Sequence, residues 1–301
     1  MADSASPPIL DYEGSDYRTR FWEGKGRDYE DRAERIAIQR LLPPSGKRII
    51  EIGAGFGRLT SMYAGYEQVV LFDYSRSQLE FAREQYGDDG YLYVAGNVYR
   101  MPFAPQVFDT AIMVRVLHHM QDAPAALRAV RNTLHTGSIF VLEYASKQHL
   151  KSIARWILRR QSWSPFSLEP VEFAELNFDF HPRYIQQALR QEEFLPGRRL
   201  TASHFRIEFL KRIIPTGVLV AADSLAQLTG NLWQLAPSVF VRSAAVGEDQ
   251  PAAPDSFWRC PSCGSLDMIE TTEGVTCQSQ GHFYPIRNGI YDFKEAEQTA
   301  S

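Results

Sequence analysis

The sequence predicts an α/β protein, a parallel sheet with helices on both faces, followed by a small metal-stapled domain. Three observations predict it. Apolar strand-like runs alternate with helical patterns from residue 47 to 142, as crossover units of a parallel sheet require. The first run, Ile49-Ile50-Glu51-Ile52, empties into Gly53-Ala54-Gly55-Phe56-Gly57-Arg58-Leu59, with glycine at every second position. All three cysteines of the 301 residues lie in the last fifth of the chain at metal-ligand spacing.

Residues 1–16 are polar and acidic and are expected to be flexible. They contain no apolar leader, so no signal peptide is read and a cytoplasmic location is expected. No run approaches the length of a membrane-spanning helix. Residues 27–42 predict a helix, because Ala33, Ile36, Ala37, Arg40 and Leu41 recur at helical spacing and Pro43-Pro44 stops it. A second helix is expected to start over Leu59 to Ala64. Glycines at the turn between strand and helix let a ligand approach the backbone, and the amides at a helix start favour a negative group. Val69-Val70-Leu71-Phe72 reads as the next strand and ends in Asp73, twenty positions after Gly53. A carboxylate there can accept from both hydroxyls of a ribose. These features describe a site for a nucleoside-containing cofactor.

Further on come Gly96-Asn97-Val98, then a buried strand over Val107 to Val114 leading into Arg115-Val116-Leu117-His118-His119-Met120. The turn Leu134-His135-Thr136-Gly137-Ser138 precedes the strand Ile139 to Leu142, which runs on into Glu143 and Tyr144. Residues 146–196 break the alternation and predict a long, largely helical cover. Two closing strands are expected near Arg199 to Arg206 and Ser238 to Ser243. The domain so described spans 17–246, residues 247–256 read as a linker, and 257–295 form a compact tail. With 44% hydrophobic residues there is enough to bury for one large core and a small extra domain. A formal charge of −4 shows no global basic bias, so nucleic acid is neither implied nor excluded.

A dinucleotide fingerprint would place a third glycine where Arg58 stands. Instead, the order and spacing over residues 25–145 resemble the class I S-adenosylmethionine-dependent methyltransferases, in the type 11 methyltransferase-domain family. That resemblance implies a Rossmann-like sheet ending in an antiparallel strand. It also implies roles: Gly53, Ala54, Gly55 and Gly57 carry the methionine part, with Glu51 orienting it. Asp73 holds the ribose, Tyr74 flanks the adenine, and Asn97 and Val98 sit at the adenine edge. The family usually has Asp at position 97, and Asn keeps the acceptor without the charge.

In the tail, Cys260-Pro261-Ser262-Cys263-Gly264 is a knuckle that points two thiolates at one place. Cys277 follows across a predicted hairpin, and His282 after four more residues. Four N or S ligands are what tetrahedral zinc requires, and a domain this small needs such a staple. The stretch Cys277 to Phe293, and Tyr284-Pro285-Ile286-Arg287-Asn288-Gly289-Ile290 above all, is similar to the small zinc-binding activator subunit of tRNA, rRNA and release-factor methyltransferases. Members often use four cysteines, so His282 departs at the fourth ligand. The subunit is ordinarily a separate chain, and its fusion here implies that the ribbon stabilises or regulates its own catalytic domain.

Arg115, His119 and Glu143 end strands on the carboxyl side of the sheet, where α/β ligands bind, and are the candidate catalytic residues. Arg115 is also a candidate for the cofactor. An imidazole at 118 or 119 titrates near neutrality and could act as a base; the alternative is a structural histidine bonded to backbone. There is no Asn/Asp-Pro-Pro-Tyr after the fourth strand, which argues against base-amine and glutamine methylation. No cysteine lies in the catalytic domain, which excludes a cysteine adduct. Lys147 to Arg160 is a basic amphipathic stretch that could meet RNA or an anionic membrane, and is expected instead to be a lid with its apolar side buried. The aromatic stretch Trp163 to His181 is expected to continue it. The cover should enclose a pocket lined by Arg115, His119, Glu143 and Tyr29. The function expected is methyl transfer from S-adenosylmethionine to an oxygen of a small molecule. A tRNA wobble-uridine methyltransferase is the rival, and a non-catalytic adaptor that meets a protein partner through its ribbon is the second class.

Overall fold

In a computed structural model of the chain, residues 7–14, 27–249 and 256–298 are described. Residues 1–6, 15 and 16 of the expected N-terminal segment and residues 250–255 of the expected linker lie outside the described residues. The core is a sheet whose central strands are β1 (Gly46–Ile52), β2 (Tyr66–Asp73), β3 (Tyr91–Ala95), β4 (Phe108–Met113) and β5 (Leu134–Ala145), all parallel. β8 (Phe194–Ala202) and β9 (Ser238–Ala245) close one edge, in the order β3-β2-β1-β4-β5-β9-β8, with β9 antiparallel to both neighbours. Strand order reverses at β1, between β2 and β4, and such a reversal opens a crevice at the carboxyl ends.

Both faces of the sheet are buried, and successive residues divide between them. Ile50, Ile52, Val70 and Phe72 face one layer, with α3 (Ala123–Thr133) and α5 (Pro182–Gln191) packed on it. Ile49, Val69 and Leu71 face the other, against α1 (Asp28–Leu41) and α2 (Arg76–Tyr86). This is the fully covered parallel sheet that near-continuous apolar strands predict.

Several expectations are corrected. The glycine loop leads into a four-residue 3-10 helix, Thr60–Tyr63, and no α-helix lies between that loop and β2. In the cover only α4 (Leu150–Ile157) and α5 are helical. Pro165 and Pro170 break the intervening stretch, and β6 (Val171–Ala174) with β7 (Asn177–Asp179) forms a separate hairpin. The first closing strand begins at Phe194, before the expected start; a bulge between Pro196 and Arg199 hides it from pattern reading. Between β8 and β9 lie two helices that the sequence analysis does not predict, α6 (Glu208–Ile213) and α7 (Thr216–Ala226). α7 is pinned to α1 by Asp223, which accepts from the Tyr29 hydroxyl at 2.5 Å and from the His204 amide at 2.8 Å.

The tail extends the main sheet. β10 (Met268–Glu270), β11 (Gly274–Cys277), β12 (His282–Arg287) and β13 (Ile290–Asp292) form a meander, and β14 (Glu297–Gln298) pairs with β12. β13 lies parallel to β3, with Tyr291 opposite Val94, so the tail caps the edge that β3 would otherwise expose. The β12–β13 turn is Asn288-Gly289, both at positive φ, as a two-residue hairpin favours. Trp258 completes the junction. It stacks on Phe103 at 5.8 Å, lies 4.9 Å from the Phe293 ring, and donates its indole N–H to Glu270 at 2.6 Å.

Candidate active site and metal centre

The crevice at the strand reversal holds two cavities that meet. The first is walled by Ile52, Gly53, Gly55, Phe72, Asp73, Tyr74, Gly96 and Val98, and roofed by Ile9, Leu10 and Tyr12 of the N-terminal segment. Gly53 stands at φ +73°, and a Cβ there would lie 2.0 Å from Val116 Cγ2, so the loop folds only with glycine at this point. The Asp73 carboxylate accepts from the Gly55 and Ser75 amides, each at 2.8 Å. Burial pushes it up to about 6 even so.

Glu51, Gly53, Ala54 and Gly55 line an adjoining recess with Arg58 and Arg115. Burial pushes the Glu51 carboxyl up to about 8, and its Oε2 has no hydrogen-bond partner. A buried carboxylate oxygen without a donor, beside a glycine-lined recess, fits an incoming ammonium group. Gly57 closes the loop by bonding to Ala54 O at 3.0 Å, and does not line either space. The Asn97 side chain is turned to its own backbone, where it accepts from Tyr99 N at 2.8 Å as the cap of a 3-10 turn. Asn97 therefore does not line the cavity, although Gly96 and Val98 on either side do.

Glu34, fully buried on α1, joins the two halves of the crevice. It pairs with Arg58 at 3.0 Å and with Arg115. Burial alone would raise it, but the two guanidiniums hold it below the usual carboxylate range. Arg115 itself has a positive φ, and its amide donates to Glu143 Oε2 at 2.8 Å. Glu143 Oε1 accepts from Ser238. Both Glu143 oxygens are thus engaged, one by the Arg115 turn and one by Ser238 at the start of β9, and burial raises its pKa.

The second cavity, about 430 Å³, is lined by Arg115, His118, His119, Glu143, His149, Asp179 and Arg206 among others. Tyr12, Arg115 and His119 line both cavities. Tyr29 lines neither, because its hydroxyl is committed to Asp223 and the Phe205 amide. His119 Nδ1 lies 3.1 Å from Leu176 O, which makes that nitrogen the donor and leaves Nε2 to face the Tyr12 hydroxyl at 3.4 Å. His118 Nδ1 has no partner. Burial lowers both imidazoles, so they are neutral at pH 7. Asp179, at the end of β7, is missed by sequence reasoning, as are His149 and Arg206. Burial pushes it up to about 6 against the pull of Lys147 and Arg206. Its only sequence signal is an acid inside an aromatic stretch.

In the tail, donor atoms of Cys260, Cys263, Cys277 and His282 all lie within 4.8 Å of one another. Cys263 Sγ is 3.5 Å from Cys277 Sγ, and Cys260 Sγ is 3.4 Å from His282 Nδ1. Tetrahedral ligands about 2.0–2.3 Å from zinc would stand roughly 3.5–3.8 Å apart. The donor set and its spacing therefore fit a zinc ion.

Residues 50–142 match the methyltransferase domain family model. An O-methyltransferase, cnsE, of Penicillium expansum is 31% identical over 161 residues, covering 49% of this chain and 57% of that protein. The ubiquinone/menaquinone biosynthesis C-methyltransferase UbiE of Vibrio parahaemolyticus is 31% identical over 36% of this chain and 46% of its own. The chain thus spans about half the length of these curated relatives. Among solved structures, the complex between the Haloferax volcanii Trm112 methyltransferase activator and a putative methyltransferase gives a TM-score of 0.52 at 15% identity, over 75% of this chain and 95% of that one. An S-adenosylmethionine-dependent methyltransferase from Mesorhizobium loti gives 0.52 at 20% identity, over 70% and 97%. With the strand order and the crevice at its reversal, these matches show a methyltransferase-like fold at the core of the chain, with residues 50–142 similar to the methyltransferase domain family.

Proposed function

We propose that the chain transfers a methyl group from S-adenosylmethionine to an oxygen of a small-molecule acceptor. The observation that carries this is the meeting of the two cavities at Tyr12, Arg115 and His119. One cavity has the furniture of a nucleoside site, and the other is polar and titratable. The cofactor supplies an electrophilic methyl on a sulfonium. Asp73 accepts from the ribose hydroxyls, and Glu51 Oε2 accepts from the ammonium. Ile9, Leu10 and Tyr12 exclude water from above. Glu143, by fixing the Arg115 turn, sets the wall between the two spaces, where a bound acceptor would meet the methyl group. Asp179 takes the acceptor proton, since a carboxylate titrating near 6 is well matched to a hydroxyl that becomes acidic as the bond forms. An O-methyltransferase among the relatives supports an oxygen acceptor, while a C-methyltransferase beside it makes carbon the nearest alternative.

In this reading residues 257–295 form a zinc ribbon on Cys260, Cys263, Cys277 and His282. It acts as a built-in counterpart of the activator subunit, holding the β3 edge and the segment that roofs the cofactor. Labelled S-adenosylmethionine incubated with fractionated cell extract tests the acceptor. Label in a small-molecule fraction is expected. Label confined to tRNA would transfer the chain to the RNA class, and no transfer to any fraction would leave an adaptor.

A further inference from the structure

The second cavity opens beneath a surface that methyl transfer does not use. α4 is amphipathic but turned outward: its one buried residue is Ser152, which accepts from Gln161 at 3.1 Å. Leu150, Ile157 and the adjoining Leu158 are 64%, 66% and 61% exposed. The expected lid, with its apolar side buried, is therefore inverted. Trp156 and Phe166 extend the apolar surface, their rings edge to face at 5.6 Å. The Leu150 amide bonds to Leu235 O at 3.0 Å, and Trp233, two residues before that partner, is also exposed. Helices of soluble domains ordinarily bury the apolar stripe, and contiguous exposed patches mark contact sites. The same helix and its exit carry Lys151, Arg155, Arg159 and Arg160, all exposed. None of the ion pairs among the described residues involves them, and no acid lies between 147 and 160. In a chain of net charge −4, this is a local concentration of positive charge.

We propose that this face rests on an anionic lipid surface, with the apolar side chains below the headgroups and the four cations at phosphate level. RNA would engage the cations but gain nothing from exposed leucine and isoleucine. A second copy of the chain would set the same cations against themselves. An anionic bilayer takes both features at once. His149, which caps α4, and the exposed Phe173 line the second cavity, so the cavity reaches the start of this helix. Resting on the methyl-transfer reading, this names the acceptor class: an amphiphile whose apolar body stays in the lipid while its hydroxyl enters the cleft.

Co-sedimentation of the full chain with vesicles tests it, using phosphatidylcholine with and without phosphatidylglycerol at low salt. Binding is expected only where the anionic lipid is present. It should fall at least about tenfold in Ile157→Glu/Leu158→Glu and in Arg155→Glu/Arg159→Glu. Affinity for S-adenosylhomocysteine, measured in parallel, should be unchanged in both variants, which shows them folded. Failure of the unaltered chain to bind anionic vesicles overturns the proposal, as does equal binding by the apolar variant. A dimer dissociated by Ile157→Glu/Leu158→Glu without vesicle affinity assigns the face to self-association. Retention of tRNA without vesicle binding assigns it to nucleic acid. Either outcome overturns the proposal. Loss of cofactor binding by the unaltered chain would refute methyl transfer alone, leaving the vesicle result to decide the surface.

Discussion

The two halves of the crevice are built by different means. The half proposed for the cofactor is set by local backbone: a glycine loop, the ends of β1 and β2, and two amides on Asp73. The half proposed for the acceptor is made of side chains brought from distant segments, with His119 and Glu143 from the core and Asp179, His149 and Arg206 from the insertions. A site made of backbone and adjacent residues is fixed by local sequence. A site assembled from insertions is fixed by their packing, and can be altered without touching the first.

Metal removal should produce the largest effect, and on the cofactor half. Zinc binding of about 10–16 kcal/mol is typical for small structural sites. Chelation should unfold the tail and release β13 from β3. It should also loosen the roof, because Lys294 lies 5.5 Å from the Tyr74 ring and 3.4 Å from Glu13. Metal analysis should give about one equivalent, and hydrogen exchange should show loss of protection over β3 and 268–292 with β5 and β9 unchanged. Protection lost equally at β9 would break the comparison.

Glu34→Gln strikes the hinge between the halves. It leaves Arg58 and Arg115 without their shared buried carboxylate, at a cost of about 3–5 kcal/mol by urea denaturation. Asp179→Asn should lower kcat by about a hundredfold while cofactor affinity stays unchanged. A matching loss of affinity would mean that the halves are not separable.

The smallest effect is on pH dependence. Asp73 and Glu51 are acids raised to about 6 and about 8. Their contribution to the stability of the unliganded fold is complete at low pH and is lost as pH rises through those values. Cofactor binding in this reading needs both charged, so the sign reverses: affinity should fall up to about tenfold per pH unit between 8 and 6, and up to about a hundredfold per unit below 6. At pH 7 binding should release a proton from Glu51, seen as a calorimetric enthalpy that varies with the buffer. A buffer-independent enthalpy would contradict that role.

These differences also decide what sequence could disclose. β1, β2, β4 and β5, the Gly53 turn and Asp73 are legible because alternation, glycine and an acid at fixed spacing are local signals. The four candidate metal ligands are legible for the same reason. Asn97 misleads, because its capping bond to Tyr99 depends on a turn that pattern does not reveal. Tyr29 misleads because its partner Asp223 is 194 residues away. Asp179 and the outward face of α4 are silent, since nothing in the sequence says which way a cover helix turns.

Calorimetric titration of S-adenosylhomocysteine into the unaltered chain and into Asp73→Ala tests the central assignment most directly. Binding by the unaltered chain, weakened in the variant by about 1–3 kcal/mol for bonds to a charged acceptor, is the expected result. Unchanged affinity in Asp73→Ala, or no binding by the unaltered chain, would contradict a cofactor site between the Gly53 loop and Asp73.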